Sequence, residues 1–274
     1  MATTPRAPHL LAAFTGLWHH RELVWQLSKR EVVGRYRGSV LGLFWSFLHP
    51  LIMLSIYTFV FGVVFQARWQ APVDDRLGFA MVLFSGLIVY SLFAECVNRA
   101  PGLILANQRY VRKVPFPLEI LPWVPMASAL FHAGLSLLVL LLVRELTAAA
   151  IPWTALALPL ILLPLVLLTM ALSWFLASCG VFLRDTGPTV GLVTTALLFA
   201  SPVFYPASAL PEAYRPVLWL NPLTPIIEQV RDALFWGRLP GWRSFALGLV
   251  ASLAVAWLGL LWFDRTRPAF ADVV

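Results

Sequence analysis

Six long runs of apolar residues with almost no charge dominate the chain, and they constrain its fold more than any other feature. They cover Val40–Ala67 (broken only by His49-Pro50), Leu77–Ala94, Ile120–Val143, a span near 156–183, Pro188–Tyr205 and Ser244–Phe263. A helix rises 1.5 Å per residue, so about 20 such residues cross the roughly 30 Å hydrocarbon core of a bilayer. Backbone amides in lipid find no water, which leaves only helices or closed barrels as spanning structures. Barrel strands alternate apolar and polar residues, whereas these runs are continuous. The expectation is an all-α membrane protein of six transmembrane helices. Composition agrees: 60% of the 274 residues are hydrophobic and only 12% are charged, about half the charge of an ordinary soluble domain.

The net charge of +7 does not form a face or run suited to nucleic acid. The basic residues flank the apolar stretches, where they act as orientation signals and headgroup anchors. With the N-terminus inside, thirteen Lys and Arg fall on inner segments: Arg6, Arg21, Lys29, Arg30, Arg35, Arg37, Arg99, Arg109, Arg112, Lys113, Arg184, Arg265 and Arg267. Seven fall outside: Arg68, Arg76, Arg144, Arg215, Arg231, Arg238 and Arg243. This asymmetry favours both termini in the cytoplasm. The organisation expected is one domain over 1–274, with an arm (1–38), a six-helix membrane core (39–264) and a tail (265–274). The first 38 residues lack the apolar core and small-residue cleavage site of a signal peptide.

Two connections are more than loops. Residues 14–36 place Phe14, Leu17, Trp18, Val24, Trp25 and Val32 at helical spacing among basic residues. An amphipathic helix lying on the cytoplasmic leaflet would show this pattern; a solvated arm with stray aromatics is the alternative. Residues 206–243 carry six prolines around the apolar run Pro216–Ile227. Twelve apolar residues are too few to cross, so short re-entrant or interfacial helices are expected, and irregular backbone at that depth must line a cavity or be covered by protein.

Enzyme motifs are missing from the sequence. There is no G-x-x-x-x-G-K-[ST], G-x-G-x-x-G, H-E-x-x-H or G-x-S-x-G, so this chain does not cradle nucleotide phosphates by the phosphate-loop route. The five histidines (His9, His19, His20, His49, His132) lack metal-ligand spacing. His132 falls inside the third apolar run, where it is either functional or bonded to a neighbouring helix. Glu95 and Glu119 lie at span ends close to Arg99 and Lys113, as proton carriers or as structural ion pairs. Cys96 and Cys179 sit in apolar segments and read as free buried thiols.

Three stretches, in order, resemble one family: KREVVGRYRGSVLGLFWSFLHPLIM (Lys29–Met53), PGLILANQRYVRKVPFPLEILP (Pro101–Pro122), and Arg184-Asp185 followed by SPVFYP (Ser201–Pro206) and NPLTPIIEQVRDALFWG (Asn221–Gly237). They are similar to the permease subunits of type-2 ABC exporters of the O-antigen and capsular polysaccharide group. The resemblance implies a transport subunit that is not itself an enzyme. ATP and Mg would be bound by a separate ABC ATPase present in two copies, and this chain would pair with a second copy of itself in the bacterial inner membrane. The cargo would be a lipid-linked polysaccharide (O-antigen, capsule or a teichoic-type polymer), with membrane lipids and possible periplasmic export partners alongside.

By the same resemblance, Asn107, Arg109, Tyr110, Arg112 and Lys113 belong to a cytoplasmic coupling helix that docks on the ATPase; plain positive-inside anchoring explains the same charges. A conduit at the dimer interface would be lined by Trp45, Tyr57, Phe59, Phe199, Phe204 and Tyr205, whose faces suit sugar C–H surfaces. Packing against lipid is the alternative for each. Arg35 and Arg37 would meet the pyrophosphate of the lipid-linked substrate at its entry, or bind lipid headgroups. Two rivals remain. An ABC-2 exporter of drugs or small lipids often carries a large external domain, and an intramembrane glycosyl- or acyltransferase needs acidic or histidine clusters at the interface.

Overall fold

The computed structural model describes residues 16–64, 76–112, 116–147 and 150–273. Among them every regular element is helical. The main ones are α1 (Arg21–Arg35), α2 (Phe44–Tyr57), α3 (Arg76–Arg99), α4 (Gln108–Arg112), α5 (Trp123–Leu146), α6 (Leu163–Phe182), α7 (Thr186–Ala200), α8 (Arg215–Leu220), α9 (Leu223–Arg231), α10 (Trp242–Thr266) and α11 (Phe270–Val273).

Among the described residues, five helical stretches are long and apolar enough to cross a bilayer: Phe44–Phe61, Leu77–Ala106, Leu118–Leu146, Trp153–Phe182 and Trp242–Val273. The fifth run of the sequence, expected over Pro188–Tyr205, becomes the shorter helix α7 of 15 residues. At 1.5 Å per residue it rises ~22 Å, short of the hydrocarbon thickness. Its backbone turns extended at Ser201, and the following residues Ser201–Tyr205 form turns and bends rather than more helix.

Helix α3 is the axis of the bundle. It packs against α2, α5, α6, α7 and α9 and is buried along most of its apolar length, whereas α2 is mostly open. Consecutive residues from Phe79 to Phe84 are all buried, the pattern of a helix covered on every side. Helices α6 and α10 lie along one another because small residues let their backbones meet. A Cβ on Gly259 would stand 2.4 Å from the Ala171 carbonyl oxygen. Small residues at such crossings are the usual device where lipid supplies no hydrophobic drive between helices.

Helix α2 carries Pro50 within it, and its last turns widen into a π-helix over Thr58–Val64. Proline removes an amide donor and crowds the preceding turn, whereas the π-helical stretch lies beyond it. Helix α1 docks against α5 through the side that carries Val24 and Ser28, both buried. Trp18 and Trp25 point away from the bundle, 72% and 69% exposed. One face of the arm thus meets protein while Trp18 and Trp25 stand open on another; Phe14 lies outside the described residues.

Candidate functional site

Helices α1, α3 and α5 meet in a polar cluster. The Arg35 guanidinium pairs with Glu95 and places Nη1 3.1 Å from His132 Nδ1. His132 Nδ1 is also 3.3 Å from Glu95 Oε2, and its Nε2 is 3.3 Å from the Tyr36 hydroxyl. One turn beyond, Arg99 donates to Glu31 at 2.5 Å and stands 3.8 Å from Glu95. His132 Nδ1 thus lies between a donor and an acceptor, so the placement of one imidazole proton decides which of them it satisfies. Burial raises the Tyr36 phenol above its ordinary value, with the Arg35 charge opposing, so Tyr36 remains a hydroxyl that can donate to Nε2. His132 and Glu95, each an isolated oddity in the sequence, are partners here.

This cluster is the polar end of a groove of about 650 Å³ bounded by α2, α3 and α5. Trp45, His49 and Tyr57 line it from α2, Phe84, Leu87, Ile88 and Ser91 from α3, and Ala129, Ala133 and Ser136 from α5. Of the residues expected at the substrate path, Arg35, Trp45 and Tyr57 share this groove. Arg37 is exposed on the turn after α1. Phe59 lines a different surface hollow with Leu51, Thr58, Leu77 and Val143.

Phe199, Phe204 and Tyr205 gather at the far end of α7. The Phe204 ring stacks on Phe61 at 5.9 Å and 19°, and lies 5.9 Å from Phe199. Tyr205 donates its hydroxyl hydrogen to the Phe199 carbonyl at 3.1 Å. The sequence expectation thus resolves into three surfaces, one near the α1 end, one near the α7 end, and Phe59 apart.

What holds the α7 end in place was not read from the sequence. Arg231, counted there among the outer anchors, is fully buried. Its guanidinium donates to the carbonyls of Pro202 (2.6 Å), Val203 (2.9 Å) and Val82 (3.3 Å) and to Glu228 (3.0 Å). Burial lowers its pKa to about 10, with Glu228 opposing, so it stays charged at neutral pH. Gly86 leaves room for it, since a Cβ there would approach Nη2 to 2.9 Å. Asn221 adds a second tie: its Nδ2 donates to Ser201 Oγ at 2.8 Å and its Oδ1 accepts from the Leu223 amide at 3.0 Å. These bonds join SPVFYP to NPLTPIIEQVRD across some twenty residues of chain.

Arg144, also counted as an outer anchor, is buried as well. It donates to the carbonyls of Leu234 (2.6 Å) and Ala150 (3.0 and 3.3 Å) and lies over the Phe235 ring at 5.2 Å. Both arginines are internal pins, because a buried guanidinium needs several acceptors and loop carbonyls supply them. Neither therefore anchors headgroups, as the position of each beside an apolar run had suggested.

The expected docking segment leaves α3 through a tight turn at Ala100–Gly102 and forms two short helices, Leu103–Ala106 and α4, divided at Asn107. Asn107 Nδ2 bonds back to the Leu103 carbonyl at 2.8 Å. Arg109 is exposed, and Tyr110 stacks on Phe116 at 4.4 Å. The side chain of Arg112 and all of Lys113 lie outside the described residues. Gly180 of α6 sits against this turn so closely that a Cβ would be 2.0 Å from the Pro101 carbonyl oxygen. Arg267, past α10, bonds Glu119 at 2.8 Å and the Phe116 carbonyl at 3.1 Å, and α11 packs on α4. The ion pair expected near Glu119 exists, with Arg267 as the partner.

Against known proteins, residues 22–235 match the family model of the ABC-2 type transporter, and the chain belongs to that family. Among its relatives is the O-antigen export system permease protein RfbA of Myxococcus xanthus, 29% identical over 260 residues that cover 94% of this chain and 97% of the relative. A protein of the same name from Klebsiella pneumoniae is 25% identical, covering 92% and 95%. The polysialic acid transport protein KpsM of Escherichia coli is 26% identical, covering 88% and 92%.

Proposed function

We propose that this chain is the membrane subunit of an ABC transporter that exports a lipid-linked surface polysaccharide, O-antigen or capsule, across the bacterial inner membrane. The observation that carries the reading is the near end-to-end similarity to the Myxococcus xanthus O-antigen permease, over 94% of this chain. A separate ATPase supplies ATP hydrolysis, two copies of it serving a dimer of this chain, with nucleotide and Mg held there. The exposed flanks of α2 and α7 support the dimer: Ile52, Ile56, Phe59, Leu192, Val193 and Phe199 are all open to the surroundings.

The conduit in this reading runs between the copies along α2 and α7, with Trp45, Tyr57, Phe59, Phe199, Phe204 and Tyr205 as its aromatic wall. Helix α7 and the turns after it together complete a sixth crossing, α8 and α9 form the short re-entrant pair outside, and both termini face the cytoplasm. Residues 107–113 seat on the ATPase. Arg37, exposed and with no described carboxylate paired to it, supports an anion contact at the entry.

Deleting the gene and restoring it from a plasmid tests the function. Surface polysaccharide should vanish on deletion, with lipid-linked polymer accumulating in the cell, and return on complementation. Unchanged surface polysaccharide in the deletion strain would refute the reading and leave a drug or small-lipid exporter in its place.

A further inference from the structure

The groove between α2, α3 and α5 has the chemistry of a site, and its occupant can be inferred from its charge balance. Its volume of about 650 Å³ lies within the roughly 300–1,000 Å³ usual for small-molecule sites. Its polar end is dense in hydrogen-bonding groups yet close to neutral. Arg35 and Glu95, the groove's charged pair, answer one another. A phosphate entering there would face the Glu95 carboxylate, which repels it and already holds the guanidinium.

A neutral polyol meets no such opposition. Carboxylate oxygens accept from hydroxyls, guanidinium and Tyr36 donate to them, and His132 does either according to its tautomer. The indole of Trp45 lines the same groove and offers an apolar face next to a polar end, which suits the C–H surface of a pyranose. Arg37, two residues beyond Arg35, is exposed and has no carboxylate paired to it among the described residues.

We propose that each copy of this chain carries, within the α2–α3–α5 groove, a glycan-binding site in which Glu95, Arg35, His132 and Tyr36 bond the hydroxyls of a sugar stacked on Trp45. The inference rests on the polysaccharide reading and divides the entry between two chemistries: the groove reads a sugar, while the phosphate is left to Arg37. The site is walled by α3 and α5 as well as α2, and it shares Trp45 and Tyr57 with the conduit proposed above.

The test uses the permease with its ATPase in lipid nanodiscs and saturation-transfer NMR with methyl glycosides of glucose, galactose, mannose, rhamnose and N-acetylglucosamine. At least one should receive saturation on its ring C–H protons. Glu95→Gln and Trp45→Leu should each weaken that binding about tenfold or more, whereas Trp45→Phe, which keeps an aromatic face, should retain most of it. Inorganic pyrophosphate should not displace the glycoside. Tyr36→Phe removes one hydroxyl from an already exposed turn and carries the test if Glu95→Gln does not assemble. No binding by any glycoside, binding indifferent to all these substitutions, or displacement by pyrophosphate would each overturn the proposal. If deletion of the gene abolishes export while no glycoside binds, the groove inference alone fails; if deletion leaves export intact, the polysaccharide reading has failed.

Discussion

Replacing Arg231 with methionine removes a guanidinium that is fully buried and bonded to Val82, Pro202, Val203 and Glu228. Methionine fills much of the volume, so the cost lies in the acceptors left behind. Each buried acceptor without a donor costs roughly 1–3 kcal/mol, and breaking a buried ion pair costs about 3–5 kcal/mol. These terms overlap, because Glu228 is partly exposed and can turn toward water, so about 3–5 kcal/mol in total is expected. By the relation for domains of 150–250 residues this corresponds to a fall in Tm on the order of 10 °C. Heating detergent-solubilised protein and measuring the fraction still monodisperse reads the change directly. The pair Glu228→Gln with Arg231→Met should recover part of the loss, since it no longer strands a charge. A Tm for Arg231→Met within about 2 °C of wild type, on the same scale, would show that Arg231 does not pin the turn after α7.

Three further outcomes are expected. Gly180→Ala should lower thermal stability and disturb assembly with the ATPase, since its Cβ would meet the Pro101 carbonyl at 2.0 Å; the mirror case Gly134→Ala, with open space around it, should be silent in the same assay. Charge reversal of Arg109, Arg112 and Lys113 to Glu should weaken co-purification of the ATPase while membrane insertion is unchanged, and intact assembly would return them to simple anchors. Aspartate at Trp45 or Tyr57 should reduce surface polysaccharide at equal membrane level far more than alanine does, since a charge at mid-membrane costs roughly 2.5–3.5 kcal/mol; normal export would place both off the path.

The helices were legible because each is written in consecutive apolar residues, and the five longest appear near the places the runs mark. The short helix was harder. Pro188–Tyr205 is uncharged throughout, yet the helix ends at Ala200, and hydropathy alone does not see backbone that turns while staying uncharged. The burial of Arg144 and Arg231 escaped for a related reason. Counting Lys and Arg at span ends treats every one as solvated, whereas a guanidinium offers five donors and can serve buried loop carbonyls. Proximity of Arg231 to Glu228 three residues earlier was the one local hint. The groove was half visible: Arg35, Trp45 and Tyr57 were singled out separately, and His132 and Glu95 were noticed as unusual. Their meeting depends on how α1 docks on α5, which is a matter of tertiary packing that no local pattern encodes. Gly180 shows the same limit, being unremarkable in sequence and decisive against Pro101.

The most direct measurement of the central claim is transport itself. The purified permease and its ATPase, reconstituted in liposomes with radiolabelled lipid-linked polysaccharide from the native cell, should move the polymer across the bilayer only when ATP is present on the ATPase side. The account predicts ATP-dependent protection of the labelled polymer from an externally added glycosidase, lost when the permease is omitted. Steady ATP hydrolysis with no change in glycosidase access would contradict it.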